Sequence, residues 1–233
     1  MADLISIIVP VYNEESTIAT VVDLLRTVPL PAAREIIVVN DGSRDGTRAA
    51  LDAIDGRFPE VSIVNVPENR GKGHAIRVGL TRTRGSVAAI QDADLELDPS
   101  QLGSLVAPIL AGDADVVYGS RFLTGAGAAS GIALAGNRLL TWLTNVLYGS
   151  SLTDMETCYK VMRGDIARAL PLSANRFDIE PEITARVLLA KYRLTERPVS
   201  FTPRSTATGK KIRWRDGIQA VTMLLRCRFG SSR

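Results

Sequence analysis

The segment Gln91-Asp92-Ala93-Asp94-Leu95-Glu96 places three carboxylates within five residues, directly after the apolar run Val87-Ala88-Ala89-Ile90. In an extended chain, positions i, i+2 and i+4 face the same way, so Asp92, Asp94 and Glu96 are expected to converge. Their mutual repulsion is relieved by a divalent cation, and Mg²⁺ typically takes one or two carboxylates, completing its shell with phosphate oxygens and water. A solvated acidic turn is the alternative, weakened by the position of the cluster at the end of a buried strand. A second cluster, Asn40-Asp41-Gly42-Ser43 followed by Asp45-Gly46-Thr47, also ends a strand. There an Asp can accept hydrogen bonds from a base or ribose; turn glycines and a helix cap from Asp45 or Thr47 account for it equally well. In the third, Pro10-Val11-Tyr12-Asn13-Glu14, a ring and a carboxylate could flank a base.

Other chemistries are excluded. Asn69-Arg70-Gly71-Lys72-Gly73 is glycine-rich and basic but lacks the spacing of a phosphate-cradling P-loop. His74 is the sole histidine; just inside a helix, it reads as a packing or surface residue. With no G-x-S-x-G and no His/Cys metal spacing, hydrolysis by a Ser-His-Asp triad fails.

The elements that must position these clusters are legible in the same stretch. Short β-branched runs at 4–13, 34–43, 61–67 and 85–94 read as buried parallel strands. Helical patterns lie between them, the first with Ile18, Val21, Val22, Leu24 and Leu25 on 3–4 spacing, the others over 45–56 and 71–84. This alternation predicts an α/β fold with a Rossmann-like, mostly parallel central sheet flanked by helices, whose strands offer their carboxyl ends to ligands. Further on, a helix is expected after Asp98-Pro99-Ser100 and a strand at 114–122. A glycine-rich loop follows at 119–131. Then come a nearly all-round apolar helix carrying Leu139, Leu140, Trp142, Leu143, Val146 and Leu147, a helix at 177–192 and a strand at 194–203.

The chain has 233 residues, 45% apolar and 23% charged, which suits one globular domain spanning 1–233 and excludes disorder. No apolar run reaches the ~18 residues of a spanning helix. Residues 1–10 lack the basic leader and long apolar stretch of a signal peptide, and Cys158 and Cys227 make no disulfide framework. The expectation is a reduced, cytoplasmic protein. The formal charge of +3 is an average of unlike parts: residues 191–233 carry 11 Lys or Arg and 2 Asp or Glu, net +9, and the first 190 are net −6. An amphipathic helix is expected over about 211–229, with Trp214, Ile218, Val221 and Leu225 on one stripe and Arg213, Arg215, Arg226 and Arg228 on or beside the other face. Such a helix can lie on an anionic membrane or dock on the sheet with its arginines solvated. No recognition motif or aromatic interleaving supports nucleic acid binding.

Taken in order, PVYNE at 10–14, NDGSRDGT at 40–47, NRGKGHA at 69–75, QDADLE at 91–96, GSRF at 119–122, ETCYK at 156–160, FDIEPE at 177–182 and PRS…GKKIRWRDG between 203 and 217 resemble the family-2 inverting glycosyltransferases of GT-A fold, close to the polyprenyl-phosphate (dolichol-phosphate) mannose and glucose synthases. The resemblance runs from about residue 4 to 229. It implies a GDP- or UDP-hexose donor, Mg²⁺ or Mn²⁺ as cofactor, inversion at the anomeric carbon and a polyprenyl phosphate acceptor. By position it implies that Pro10, Tyr12, Glu14, Val39 and Asp41 hold base and ribose, with Ala93 also in the nucleotide-sugar site. Asp92 would contact ribose or metal, while Asp94 and Glu96 would bind the metal. Arg204 and Lys210 would reach the diphosphate, and Arg121 and Arg138 the acceptor phosphate. Relatives often have Gln at the position of Glu96, and an acidic residue where Thr208 precedes Gly-Lys-Lys. They often add one to four membrane helices after the catalytic domain.

A lipid phosphate oxygen is already anionic, so arginine positioning would matter more than proton abstraction. A hydroxyl acceptor, as in polysaccharide or secondary-metabolite assembly, would need a carboxylate base: Asp154 first, Glu156 second; a helix cap is the plain role for Asp154. A nucleotidyltransferase expects a basic glycine-rich first turn, which PVYNE is not. A non-catalytic sugar-nucleotide binding module is disfavoured by the carboxylate and basic sets. The expected location is cytoplasmic, peripheral at the inner face of the membrane.

Overall fold

A computed structural model describes residues 3–123, 132–203 and 214–230. Its centre is a seven-stranded sheet built from β1 (Leu4–Val11), β2 (Ala33–Asp41), β3 (Val61–Val66), β4 (Val87–Ile90), β5 (Val116–Ser120), β6 (Lys160–Arg163) and β7 (Leu194–Pro198). The order is β3-β2-β1-β4-β6-β5-β7. All neighbours run parallel except β6, which is antiparallel to both β4 and β5.

The first half follows the expected rhythm. β1 buries seven consecutive residues, the pattern of a central strand covered on both faces. α1 (Ile18–Thr27) follows it and buries Ile18, Val21, Val22 and Leu25. α2 (Thr47–Asp52) and α3 (Lys72–Leu80) make the next two crossovers. A 3₁₀ turn at Pro99–Gln101, capped by Asp98 Oδ1 accepting the Ser100 N–H at 2.9 Å, leads into α4 (Leu102–Leu110).

Two elements were not expected. The four-residue β6 inserts antiparallel between β4 and β5, and α6 (Gly164–Ala169) follows it at once. The strand at 85–94 is also shorter than its apolar pattern suggested, ending at Ile90 with bends from Ala93 to Glu96. Likewise 194–203 is a strand only to Pro198, with Phe201 in an isolated bridge to Leu97.

Three further helices pack against one another: α5 (Ile132–Tyr148), α7 (Ile179–Leu189) and α8 (Trp214–Phe229). Met155, Ala185 and Leu224 form a small buried cluster where they meet, with Leu140, Leu143, Leu147, Tyr148 and Cys227 packed around it. α8 docks through Asp216, Ala220, Met223 and Leu224, which are all buried. Two residues of the expected apolar stripe are turned outward, Ile218 at 57% exposed and Leu225 at 41%, as is Phe229 at 71%.

Candidate functional site

The carboxyl ends of β1, β2 and β4 bring three motif loops together, and side chains tie them to one another. Asn13 takes a positive φ of 53°, a conformation Asn tolerates better than most residues, and its side chain accepts the Arg44 N–H at 2.9 Å. Its own N–H donates to Ser43 Oγ at 3.0 Å, and the Glu14 N–H to Thr47 Oγ1 at 2.8 Å. The Gly46 N–H donates to Glu15 Oε2 at 2.5 Å. Much of PVYNE and NDGSRDGT is therefore a mutual clamp. The Thr17 hydroxyl lies 3.0 Å from Glu14 Oε2 and 2.9 Å from the Ala93 carbonyl, linking this clamp to the acidic loop.

Glu14 and Asp41 are buried, and Tyr12 is half-buried beside them. Asp41 Oδ2 accepts the N–H groups of Arg70 at 3.0 Å and Gly71 at 2.6 Å. Pro10 is buried at the β1 end; Val39 is wholly buried in a cluster with Ile37 and Ala75, its side chain turned to the core. The basic glycine-rich stretch 69–73 bonds back onto the protein. Its first N–H groups serve Asp41, and the Gly73 and His74 N–H groups donate to the Arg176 and Asn175 carbonyls at 3.2 and 3.0 Å. Gly71 has φ 106°, and a Cβ there would stand 2.5 Å from the Asn175 carbonyl. His74 sets Nδ1 3.5 Å from Asp41 Oδ1.

The acidic loop is not extended, so its three acids do not line one face. Asp94 Oδ1 accepts the Glu96 N–H at 3.1 Å, folding the loop back on itself. Asp92 Oδ1 lies 2.8 Å from Lys72 Nζ. The loop is held from beneath by Gln91, whose Nε2 donates to the Leu97 carbonyl at 3.3 Å. The Tyr159 hydroxyl lies 2.7 Å from Gln91 Oε1 and 2.8 Å from the Asp98 carbonyl. Among the described residues, no three His, Cys, Asp or Glu side chains gather closely enough to hold an ion unaided. An oxygen-only pair such as Asp92 and Asp94 suits Mg²⁺ or Mn²⁺, ions whose remaining ligands come from phosphate and water. The Thr202 N–H donates to the Glu96 carbonyl at 2.9 Å, so the chain up to Pro203 runs beside this loop. Arg204 and Lys210 lie outside the described residues.

The second half of the site is built on Arg121, just past β5. Its Nε donates to Asp154 Oδ2 at 2.7 Å and its Nη2 to Asp154 Oδ1 at 2.8 Å. Asp154 is wholly buried and also accepts the Arg121 N–H at 3.1 Å and Asn137 Nδ2 at 3.2 Å. Burial works against the Arg121 charge, but Asp154 outweighs it and holds the guanidinium above its ordinary pKa. The Phe201 ring lies 5.3 Å from that guanidinium. Glu196 of β7 fixes the 153–154 backbone, accepting the Thr153 and Asp154 N–H groups at 2.8 and 3.0 Å. Arg138, next to Asn137 on α5, is exposed. Burial pushes the Glu156 carboxyl up to about 7, and its Oε1 is shut off from solvent with no hydrogen-bond partner among the described residues.

Lys72, Glu180, Tyr159 and Lys160 carry no role in the sequence reading. Their motifs, NRGKGHA, FDIEPE and ETCYK, are visible, but partnerships between residues 20 to 108 positions apart are not.

Known proteins add a family to this geometry. Residues 6–167 match the model described as glycosyl transferase family 2. The chain is 27% identical over 212 residues to the low-salt glycan biosynthesis hexosyltransferase Agl6 of Haloferax volcanii, an alignment covering 88% of the chain and 49% of that protein. It is 28% identical over 214 residues to the undecaprenyl-phosphate mannosyltransferase of Micrococcus luteus, covering 87% and 85%. The chain thus spans only about half the length of the first of these relatives. In structure it resembles glucosyl-3-phosphoglycerate synthase from Mycobacterium tuberculosis, solved with Mn²⁺, uridine diphosphate and phosphoglyceric acid. The TM-score is 0.74 at 21% identity, over 97% of this chain and 78% of that one. That likeness speaks for the fold alone, the expected GT-A architecture. With the family match covering well over half of its length, the chain belongs to glycosyl transferase family 2.

Proposed function

We propose that the protein transfers a hexose from a GDP- or UDP-sugar, with inversion at the anomeric carbon, to a polyprenyl phosphate at a membrane surface. The observation that carries this reading is Arg121: a half-buried guanidinium with its charge secured by a wholly buried carboxylate, at the mouth of a site whose other half is acidic. A guanidinium held in a fixed orientation suits a phosphate oxyanion, and a nucleophile that is already an anion needs no base. Asp154 then orients Arg121, since its oxygens already accept four N–H donors. The undecaprenyl-phosphate mannosyltransferase relative is named for such an acceptor.

On the donor side, Tyr12, Glu14 and Asp41, with Pro10, Ala93 and the backbone of Val39 beside them, would receive base and ribose. Asp92 and Asp94, with Glu96 beside them, would hold Mg²⁺ or Mn²⁺. A bound divalent ion would stabilise the charge that grows on the departing diphosphate. Arg204 and Lys210 would share that charge, and Arg138 would join Arg121 at the acceptor phosphate.

Two neighbouring helices turn apolar rows outward: Leu139, Trp142 and Val146 on α5, each about three-fifths exposed, and Ile218, Leu225 and Phe229 on α8. Exposed Arg215, Arg226 and Arg228 accompany the α8 row. Apolar rows edged by arginines fit the interface of an anionic membrane, and no described helix is long and apolar enough to cross one. On this reading the outward rows seat the protein on the cytoplasmic face of a membrane. The test is a thermal-shift screen of GDP- and UDP-hexoses with Mn²⁺, followed by turnover with and without polyprenyl phosphate on anionic vesicles. Stabilisation by one nucleotide class and lipid-dependent turnover are expected; the absence of either contradicts the proposal.

A second reading, transfer to a hydroxyl acceptor, draws on Glu156. A carboxyl with pKa near 7 and an unpartnered oxygen has the character of a general base.

A further inference from the structure

Lys72 opens α3, and its Nζ stands between two carboxylates, 2.8 Å from Asp92 Oδ1 and 3.0 Å from Glu180 Oε1. The second contact is an ion pair not aligned as a hydrogen bond. The other Glu180 oxygen lies 2.6 Å from Lys160 Nζ. Lys160, wholly buried at the start of β6, also donates to the Met155 carbonyl at 3.0 Å and to the Thr157 carbonyl. Those two carbonyls flank Glu156. Four charges of alternating sign thus run from the acidic loop, through the tip of α3 and the first turn of α7, to the segment that carries Asp154 and Glu156.

We propose that Lys72 is a positioning residue that fixes Asp92. Through Glu180 and Lys160, it holds the donor loop 91–98 and the acceptor segment 153–158 in one register. This rests on the reading of Asp92 as a nucleotide or metal contact. Three features support it. First, the base of the Lys72 side chain cannot drift, because the Gly73 and His74 N–H groups are bonded to the Arg176 and Asn175 carbonyls and Gly71 is in close contact with that backbone. Second, an ammonium at a helix N-terminus meets the positive end of the helix dipole. Its placement there is unfavourable for α3 alone and is compensated by the two carboxylates it bridges. Third, the Lys160–Glu180 pair would satisfy Lys160 without Lys72. The extra cation, Lys72, extends this pair to Asp92, which belongs to the candidate site.

Amide hydrogen exchange on the whole chain tests the coupling without any ligand. Lys72→Met is expected to speed exchange in both 91–98 and 153–158 while the amides of β1 and β2 stay protected. Faster exchange confined to α3, or to only one of the two segments, overturns the proposal. Glu180→Gln, which keeps the side-chain shape and removes the central charge, should act in the same two segments and serves if Lys72→Met does not fold. A binding cycle then tests the link to Asp92: calorimetric Kd values for UDP and GDP with Mn²⁺ in wild type, Lys72→Met, Asp92→Asn and the double variant. Each single change should weaken the nucleotide that binds at least tenfold, the double should be no worse than Asp92→Asn, and Lys72→Arg should recover part of the loss. Losses that multiply, or a Lys72→Met protein of lower Tm whose Kd stays within twofold, contradict it. A wild type that binds neither nucleotide refutes the functional reading and the Asp92 link, while the exchange result still decides the coupling.

Discussion

Arg121 and Asp154 meet side by side, Nε to Oδ2 at 2.7 Å and Nη2 to Oδ1 at 2.8 Å, with the carboxylate wholly buried and the Arg121 side chain 16% exposed. The carboxylate is fully engaged and the cation faces the site. Removing one member of a buried ion pair leaves the other uncompensated, at a cost of about 3–5 kcal/mol. Asp154→Ala is therefore expected to lower stability by about that amount in urea unfolding and to cut transfer at least 100-fold. Arg121→Lys should stay folded but lose most of its activity, because an ammonium cannot reproduce the two-point contact. Near-wild-type rates in Arg121→Lys would remove this residue from the acceptor site.

Asp94 and Glu96 separate by experiment. Asp94→Ala should abolish metal-dependent transfer with Tm within a few degrees of wild type, since Asp94 is half-exposed in a bent loop. Glu96→Gln should keep much of the activity, because it is the Glu96 backbone that joins Asp94 and Thr202. Full metal-dependent turnover in Asp94→Ala contradicts the metal assignment.

Glu156 gives a pH signature. Its folded pKa of about 7 lies above the ordinary 4.5, so the folded state holds its proton longer than the unfolded chain does. Stability from this group is complete below about pH 4.5 and is lost as pH rises through 7. At 1.36 kcal/mol per unit, the loss is roughly 3–4 kcal/mol. Glu156→Gln should flatten that part of the stability profile and gain on wild type at pH 8, measured by chemical unfolding across pH. In transfer assays it should retain activity toward a lipid phosphate; loss only toward a hydroxyl acceptor would favour the second functional reading.

The outward rows on α5 and α8 predict salt-sensitive membrane binding. Trp142→Ser combined with Phe229→Ser should reduce co-sedimentation with anionic vesicles several-fold and leave Tm nearly unchanged, both side chains being more than half exposed. Equal binding to neutral vesicles, or no effect of the double change, would contradict the membrane role.

The first three crossovers were legible because β1, β2 and α1 bury what their patterns promise, down to Ile18, Val21, Val22 and Leu25. The short β6 was not, because Lys-Val-Met-Arg has neither length nor an apolar run, and its Lys160 is buried against the Met155 and Thr157 carbonyls and Glu180, twenty positions away. The role of Lys72 is not legible in the sequence because its partners come from the β4 loop and α7. In α8 the more hydrophobic stripe, with Ile218 and Leu225, faces outward, and the helix docks through Ala220, Met223 and Leu224. Hydrophobicity alone does not reveal which of two apolar faces finds a partner. The alternating acids of 92–96 suggest an extended segment, but Asp94 Oδ1 accepting the Glu96 N–H bends it.

The central claim is that a phosphate-bearing lipid receives the sugar. The most direct measurement is incubation of the protein with a labelled GDP- or UDP-hexose, Mn²⁺ and a polyprenyl phosphate, followed by partition into organic solvent. Labelled sugar in the lipid phase, absent when the divalent ion is chelated and absent from Arg121→Ala, is the predicted result. Label that remains in the aqueous phase for both donors, with metal and lipid present, would contradict it.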